Sequence, residues 1–190
     1  MKFIQAANWT PRSQPRQISW IVLHSMESQE RPDTAENVAL WFAGDKAPQA
    51  SAHFNVDANS IVQCVAEQDI AWHAPGANAN GIGIEHAGRA AQTREQWLDN
   101  YSLPMLDLSA RLVADLCRRY NVPAIFQPWP ALQKGARGIT THREVSLAFK
   151  RSTHTDPGPG FPMDFYLGRV LLFLGFANPL GDLGPTTLSA

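Results

Sequence analysis

Runs of apolar and polar residues divide this chain into short blocks, and each block predicts an element. ISWIVLHSM (18–26) is mostly apolar and rich in β-formers, so it predicts a buried strand that ends at His24-Ser25. Asp33 or Thr34 can cap a helix through AENVALWFAG, which Gly44 ends. SAHFNVDANSIVQCVAE (51–67) alternates on both sides of Asp57-Ala58-Asn59 and predicts a hairpin. GIGIEHAG (81–88) predicts another short strand. In MLDLSARLVADLCRRY, Met105, Leu108, Leu112, Leu116 and Tyr120 recur every three or four residues, the period of an amphipathic helix. GITTHRE (138–144) predicts a strand running into a helix. THTDPGPGFP (153–162) predicts a rigid loop, and MDFYLGRVLLFLGF (163–176) a closing helix.

Strands interspersed with helices give an α/β domain around a single mixed central β-sheet flanked by helices. Residues 18–176 form that domain. Residues 1–17, polar with Pro11 and Pro15, predict an N-terminal arm, and 177–190 a loosely docked tail. No internal repeat is visible. The N-terminus lacks a continuous apolar segment and a cleavage site, so no signal peptide is expected. The longest apolar run, LLFLGFA (171–177), is too short to span a bilayer.

Composition changes this picture little. Of 190 residues, 17% are charged and the formal net charge is -1, so neither nucleic acid nor a membrane is implied as a partner. Arg111, Arg118 and Arg119 predict a solvated helix face. Cys64 and Cys117 have no partner nearby in sequence and predict buried free thiols.

The six histidines are His24, His53, His73, His86, His142 and His154. There is no HExxH and no close pair on one helix, so a metal site would have to be assembled from distant segments. A catalytic zinc needs three protein ligands and one open position. His24 ends a strand, His142 ends GITTH, and Asp156 lies in the proline-held loop. Metal ligands profit from such rigid placement. Taken one by one, each is equally an ordinary surface polar residue.

WIVLH (20–24), SAHF (51–54), AWHA (71–74), GIGIE (81–85), TTHRE (140–144) and THTDPGPGF (153–161) occur in this order. Together they resemble the type 2 N-acetylmuramoyl-L-alanine amidases, over roughly positions 18–170. That family includes phage lysozyme-type amidases, muropeptide-recycling amidases and peptidoglycan-recognition proteins. The resemblance implies their fold, with a Zn2+ at the floor of a groove held by His24, His142 and Asp156. It also implies hydrolysis of the amide between N-acetylmuramic acid and L-alanine, with peptidoglycan or a muropeptide as substrate; a monomer is expected.

Many members use a Tyr where this chain has Ala52, whereas recycling-type members use a Glu where it has Glu85. The resemblance therefore gives Glu85 the proton chemistry. A buried salt bridge from Glu85 to Arg143 or His86 is the bland alternative. His154 stands where the family often has Lys, and is a second catalytic candidate for the oxyanion, or else a metal ligand in place of Asp156. His73, Trp72 and Asn80 are candidates for substrate binding. Strand alternation turns His53 and His86 away. Trp20 and Trp41 are expected in the core. Two biological settings are expected: a lysin or wall hydrolase released to the cell wall, or a cytosolic recycling enzyme. A peptidoglycan-binding module without catalysis is the third alternative.

Overall fold

The computed structural model describes residues 1–176. The expected tail, 177–190, lies outside the described residues. In chain order the elements are β1 (Lys2–Phe3), β2 (Trp9–Thr10), β3 (Trp20–Ser25), α1 (Thr34–Ala43), β4 (Phe54–Val56), β5 (Ile61–Gln63) and β6 (Ile70–Ala71). There follow β7 (Gly81–His86), α2 (Arg94–Trp97), α3 (Ser102–Tyr120), α4 (Trp129–Gln133), β8 (Gly138–Thr141), α5 (His142–Phe149) and α6 (Met163–Phe173).

Strand β3 is buried at every position, because parallel strands flank it on both sides. That is why its sequence is a continuous apolar run rather than an alternation. The six-stranded sheet has the order β1-β5-β4-β7-β3-β8 and is mixed: only β4 and β5 pair antiparallel within it. In register, Trp20 faces Gly81 and Gly138, while His24 faces Glu85. Strands β2 and β6 form a separate antiparallel pair.

The two faces of the sheet differ. Ile21, Leu23, Ile82, Ile84, Phe54 and Val56 pack into the main core with α3 and α6. Trp20 and Val22 face the other way, onto Ala74, Leu132, Val145 and Ala148. Helix α3 is rotated relative to the expected stripe. Met105 and Leu116 of the expected stripe are buried, together with Leu106, Ser109, Ala110, Val113 and Ala114, whereas Leu108, Leu112 and Tyr120 sit at the margin. Ser109, Ala110 and Ala114 let the helix axis approach its neighbours closely, between the buried Met105 and Leu106 at one end and Leu116 at the other.

Three expectations are corrected, and one holds. Residues 1–17 are woven in rather than forming a free arm: β1 is an edge strand, and the Arg16 guanidinium donates to the carbonyls of Glu67, Asn78 and Gly81. The three arginines of α3 do lie on an exposed helix face, as expected, and find partners there. Arg119 pairs with Glu67 and Asp115, Arg111 lies over the Phe173 ring, and Arg118 donates to the Phe173 carbonyl. Trp41 is exposed rather than in the core. Neither expected residue supplies a side-chain cap to α1: Asp33 makes none, and the hydroxyl of Thr34 donates to the Gln29 carbonyl.

The partner of the first turn comes from the hairpin instead. Asp57 Oδ2 accepts from Ala35 N at 2.9 Å, and its Oδ1 accepts from Asn59 N at 3.1 Å and Ser60 N at 2.8 Å. One buried carboxylate thus ties the turn to the helix. Asp57→Ala should therefore destabilise the protein by roughly 2–3 kcal/mol, combining a lost cap with orphaned amides. Urea denaturation checks this, and a loss below about 0.5 kcal/mol would contradict it.

Candidate active site

The carboxyl ends of β3, β7 and β8 meet at one edge of the sheet, where α/β folds place their ligands. His24 is the fifth residue of β3. His142 opens α5, whose N-terminus is capped by the Thr141 hydroxyl accepting from Glu144 N. The Arg143 amide donates to the Asp156 carbonyl at 3.1 Å, which fastens the proline-held loop to that helix. Gly158 has φ +89, and a Cβ there would lie 1.9 Å from the Ala90 carbonyl oxygen. Only glycine lets the loop come this close.

These elements bring His24, His142 and Asp156 together as buried neighbours, with one ligand atom of each within 4.8 Å of the others. His24 Nδ1 lies 3.0 Å from Asp156 Oδ2, and His142 Nδ1 lies 3.1 Å from Oδ1. Burial pushes the His24 pKa down, against the pull of Asp156, so the imidazole is neutral near pH 7. Burial alone would raise the Asp156 carboxyl. Its hydrogen bonds to His142 and His24 outweigh that and hold it below the ordinary carboxylate range.

The donor set fits zinc. Two imidazoles and a carboxylate are common zinc ligands, and three of them leave a position open. The second nitrogen of each histidine is already engaged, as it is in most metal-bound histidines. His24 Nε2 lies 3.0 Å from His73 Nδ1, and His142 Nε2 lies 3.3 Å from Ser152 Oγ. Both Nδ1 atoms are thereby left to face the carboxylate.

His73 is consequently more than a groove wall. Its ring lies over β7, where a Cβ on Gly83 would come within 2.5 Å of His73 Cγ. The glycines of GIGIE are the berth for this ring. Behind it, His53 Nδ1 accepts from Gly83 N at 3.0 Å, and its pKa is pushed down to about 3 by burial and then by Arg16. His86 faces the opposite side, between the His24 carbonyl and Ser109 Oγ.

Glu85 lies beside His24 in the sheet and lines the groove. It makes neither of the suggested salt bridges: Arg143 pairs with Glu144, and His86 is turned away. Glu85 Oε2 is sealed from solvent and has no hydrogen-bond partner among the described residues. Burial raises its pKa well above the usual value, with Asp156 and Glu27 adding to the shift. His154 is 65% exposed at the side chain, stacks on His142 with ring centroids 4.4 Å apart, and has Nδ1 3.5 Å from Asp156 Oδ1.

The groove has a volume of about 380 Å³, and Trp72 and His73 border it together with His154. Asn80 is not brought there. It precedes β7 at the opposite end of the sheet, where its carbonyl accepts from Ser19 N. Glu27 went unnoticed in the sequence. It lines the groove with φ 52, and its Oε1 accepts from Ser25 Oγ at 2.6 Å and Ala90 N at 2.7 Å.

Comparison with known proteins agrees with this geometry. A family model described as N-acetylmuramoyl-L-alanine amidase matches residues 14–159. N-acetylmuramoyl-L-alanine amidase A of Achromobacter lyticus is 36% identical over 180 residues, covering 86% of this chain and 93% of that protein. Staphylococcus aureus hydrolase AmiA, solved with its ligand, has a similar fold. Its TM-score is 0.68 at 16% identity, over 93% of this chain and 86% of its own. A selenomethionine derivative of AmpD gives a TM-score of 0.59 at 22% identity, over 91% and 93%. The chain belongs to the N-acetylmuramoyl-L-alanine amidase family. Its activity is that of such an amidase, with peptidoglycan as the substrate class.

The raised pKa of Glu85 has a consequence for stability. Below about pH 4.5 its carboxyl is neutral whether the chain is folded or unfolded. As pH rises, the unfolded chain ionises first, so folded stability falls through the folded-state pKa. In metal-free protein, Glu85→Gln should gain stability relative to the parent as pH goes from about 4 to about 8. Denaturant titrations across that range check it, and a constant gap would contradict it.

Proposed function

We propose that this chain is a zinc-dependent N-acetylmuramoyl-L-alanine amidase that acts on the bacterial wall in the manner of a lysin or wall hydrolase. The observation that carries the metal is the convergence of His24, His142 and Asp156, each histidine with its second nitrogen engaged. His24 Nδ1, His142 Nδ1 and the Asp156 carboxylate would hold the ion. Zinc bound there would polarise the scissile carbonyl and lower the pKa of water.

The side chains around it divide the remaining work. Glu85 takes a proton from the attacking water and delivers it to the departing nitrogen of L-alanine. Its unpartnered oxygen and raised pKa suit a group that takes up a proton and hands it on. His154, at the open side and stacked on His142, donates an N–H to the oxyanion that develops on the carbonyl. His73 keeps His24 oriented through its 3.0 Å contact. Trp72 flanks the substrate in the groove.

Zinc content and dye release from labelled cell walls test these roles together. His24→Ala, His142→Ala and Asp156→Ala should lose zinc and activity in parallel. Glu85→Gln should keep zinc while activity falls on the order of 10²-fold. Near-full activity in that variant would remove Glu85 from the proton chemistry, and zinc binding without cleavage at any pH would favour a binding module.

Glu85, in the position where recycling-type members carry a Glu, favours a second setting, recycling of soluble muropeptides. Intact sacculi and soluble fragments, supplied as competing substrates, separate the two. A wall hydrolase should release material from sacculi at a rate comparable to its turnover of fragments. Activity confined to the fragments would sink the lysin assignment.

A further inference from the structure

Helices α4 and α5 lie side by side next to β8, the edge strand of the sheet. Trp129 N donates to Glu144 Oε2 at 2.7 Å, and the Gln133 side-chain amide donates to the Ala148 carbonyl at 2.9 Å. The two helices are thus paired start to start and end to end. Helix α5 buries His142, Glu144, Val145, Ser146 and Ala148. Its outward positions are Arg143, Leu147 and Lys150, spaced as one stripe of a helix. Trp129 lies beside the Arg143 end of that stripe, and Lys134 beside the end where Lys150 and Arg151 follow the helix.

The charge of this face is one-sided. Residues 121–155 carry five Lys or Arg and one Asp or Glu. Of the five, Arg137 is tied inward, to the carbonyls of Ile18 and Tyr120. Lys134, Arg143, Lys150 and Arg151 are exposed. The acid is Glu144, which is buried and holds Arg143 at 2.6 Å. Lys134, Lys150 and Arg151 form no ion pair among the described residues. The neighbouring strands β3 and β8, and the loop at 75–80 that packs on Phe149, contain no Asp or Glu. A net charge of -1 for the whole chain averages over this asymmetry.

Cations at helix ends complement the helix dipole, which accounts for Lys134 and Lys150 but not for their apolar neighbours. Trp129 is 41% exposed between the exposed Pro128 and Pro130, and Leu147 is 40% exposed. Cations alone would suit any polyanion. A hydrated polymer offers Leu147 no gain, whereas the interface of a bilayer takes an indole and an aliphatic side chain at headgroup depth and places phosphates against the cations. We propose that the α4–α5 face is a docking surface for a bilayer bearing anionic phospholipid. No helix among the described residues is long and apolar enough to cross a membrane, so the contact is peripheral. None of its residues borders the groove, so docking leaves the site open.

Sedimentation of the full chain with vesicles tests it, using phosphatidylglycerol mixed with phosphatidylcholine in one set and phosphatidylcholine alone in the other. Binding should favour the anionic set and weaken as salt rises. Lys134→Gln, Lys150→Asn and Arg151→Gln together should weaken it roughly 10²-fold, about fivefold per cation. Leu147→Gln should weaken it about fivefold and leave the salt dependence unchanged. The charge-retaining set Lys134→Arg, Lys150→Arg and Arg151→Lys should bind as the parent does. Turnover of a soluble muropeptide should stay within about twofold in every variant, which also shows that each is folded. No binding to anionic vesicles, equal binding to both sets, or a neutralised variant that binds like the parent overturns the proposal. Capture on lipid-free sacculi that the neutralised variant loses, without vesicle binding, gives the face to a wall polymer and overturns it as well. A chain that binds anionic vesicles but cleaves nothing would sink the amidase function and leave this docking surface standing.

Discussion

Strands β7, β3 and β8 run parallel with a fixed pairing, and every chemical group of the site takes its position from that register. Trp20 opposite Gly81 and Gly138 sets one end of the sheet; His24 opposite Glu85 sets the other. A slip of one residue in β3 would turn His24 into the main core and Leu23 toward the groove. The apolar face formed by Ile21, Leu23, Ile82 and Ile84 forbids that slip, because it is buried against α3 and α6. Packing on one side of the sheet thus holds the chemistry on the other. The loop carrying Asp156 depends on the same frame, through the Arg143 amide and the close approach of Gly158 to Ala90.

The site works at low dielectric with few charges. Burial keeps His24, His53 and His73 neutral, and the Asp156 carboxylate is stabilised by hydrogen bonds. Neutral imidazoles are what a zinc ion needs as ligands. The nearby Glu85 is the complementary case: a carboxyl without a partner for one oxygen, costly for the fold and suited to moving protons. Structure and chemistry are linked again at Gly83, where the absence of a side chain makes room for the ring that orients His24.

Much of this frame was legible in the sequence. The buried strand at 20–25, the hairpin about Asp57 and the helix at 142–149 follow from apolar runs, alternation and caps. The ends of two such strands pointed to His24 and His142. What stayed hidden depends on contacts between distant segments. The partner of α1 is Asp57, 22 residues beyond Ala35. β1 and β2 are two residues each and become strands only through their neighbours. Asn80 looked suitable because it precedes the strand of Glu85, but a six-residue strand separates its ends by roughly 17 Å. Trp41 misled for another reason: an apolar residue in an amphipathic helix suggests core, and its position off the buried stripe shows only once the helix is packed.

The central claim is that three side chains from three segments form one metal site. Anomalous diffraction at the zinc edge, on crystals of the purified protein, tests it most directly. One zinc is expected about 2.0–2.2 Å from His24 Nδ1, His142 Nδ1 and an Asp156 oxygen, with the remaining position turned toward Glu85 and the groove. Zinc ligated by His154 or His73 in place of one of these three, or full activity in crystals that bind no metal, would contradict the account.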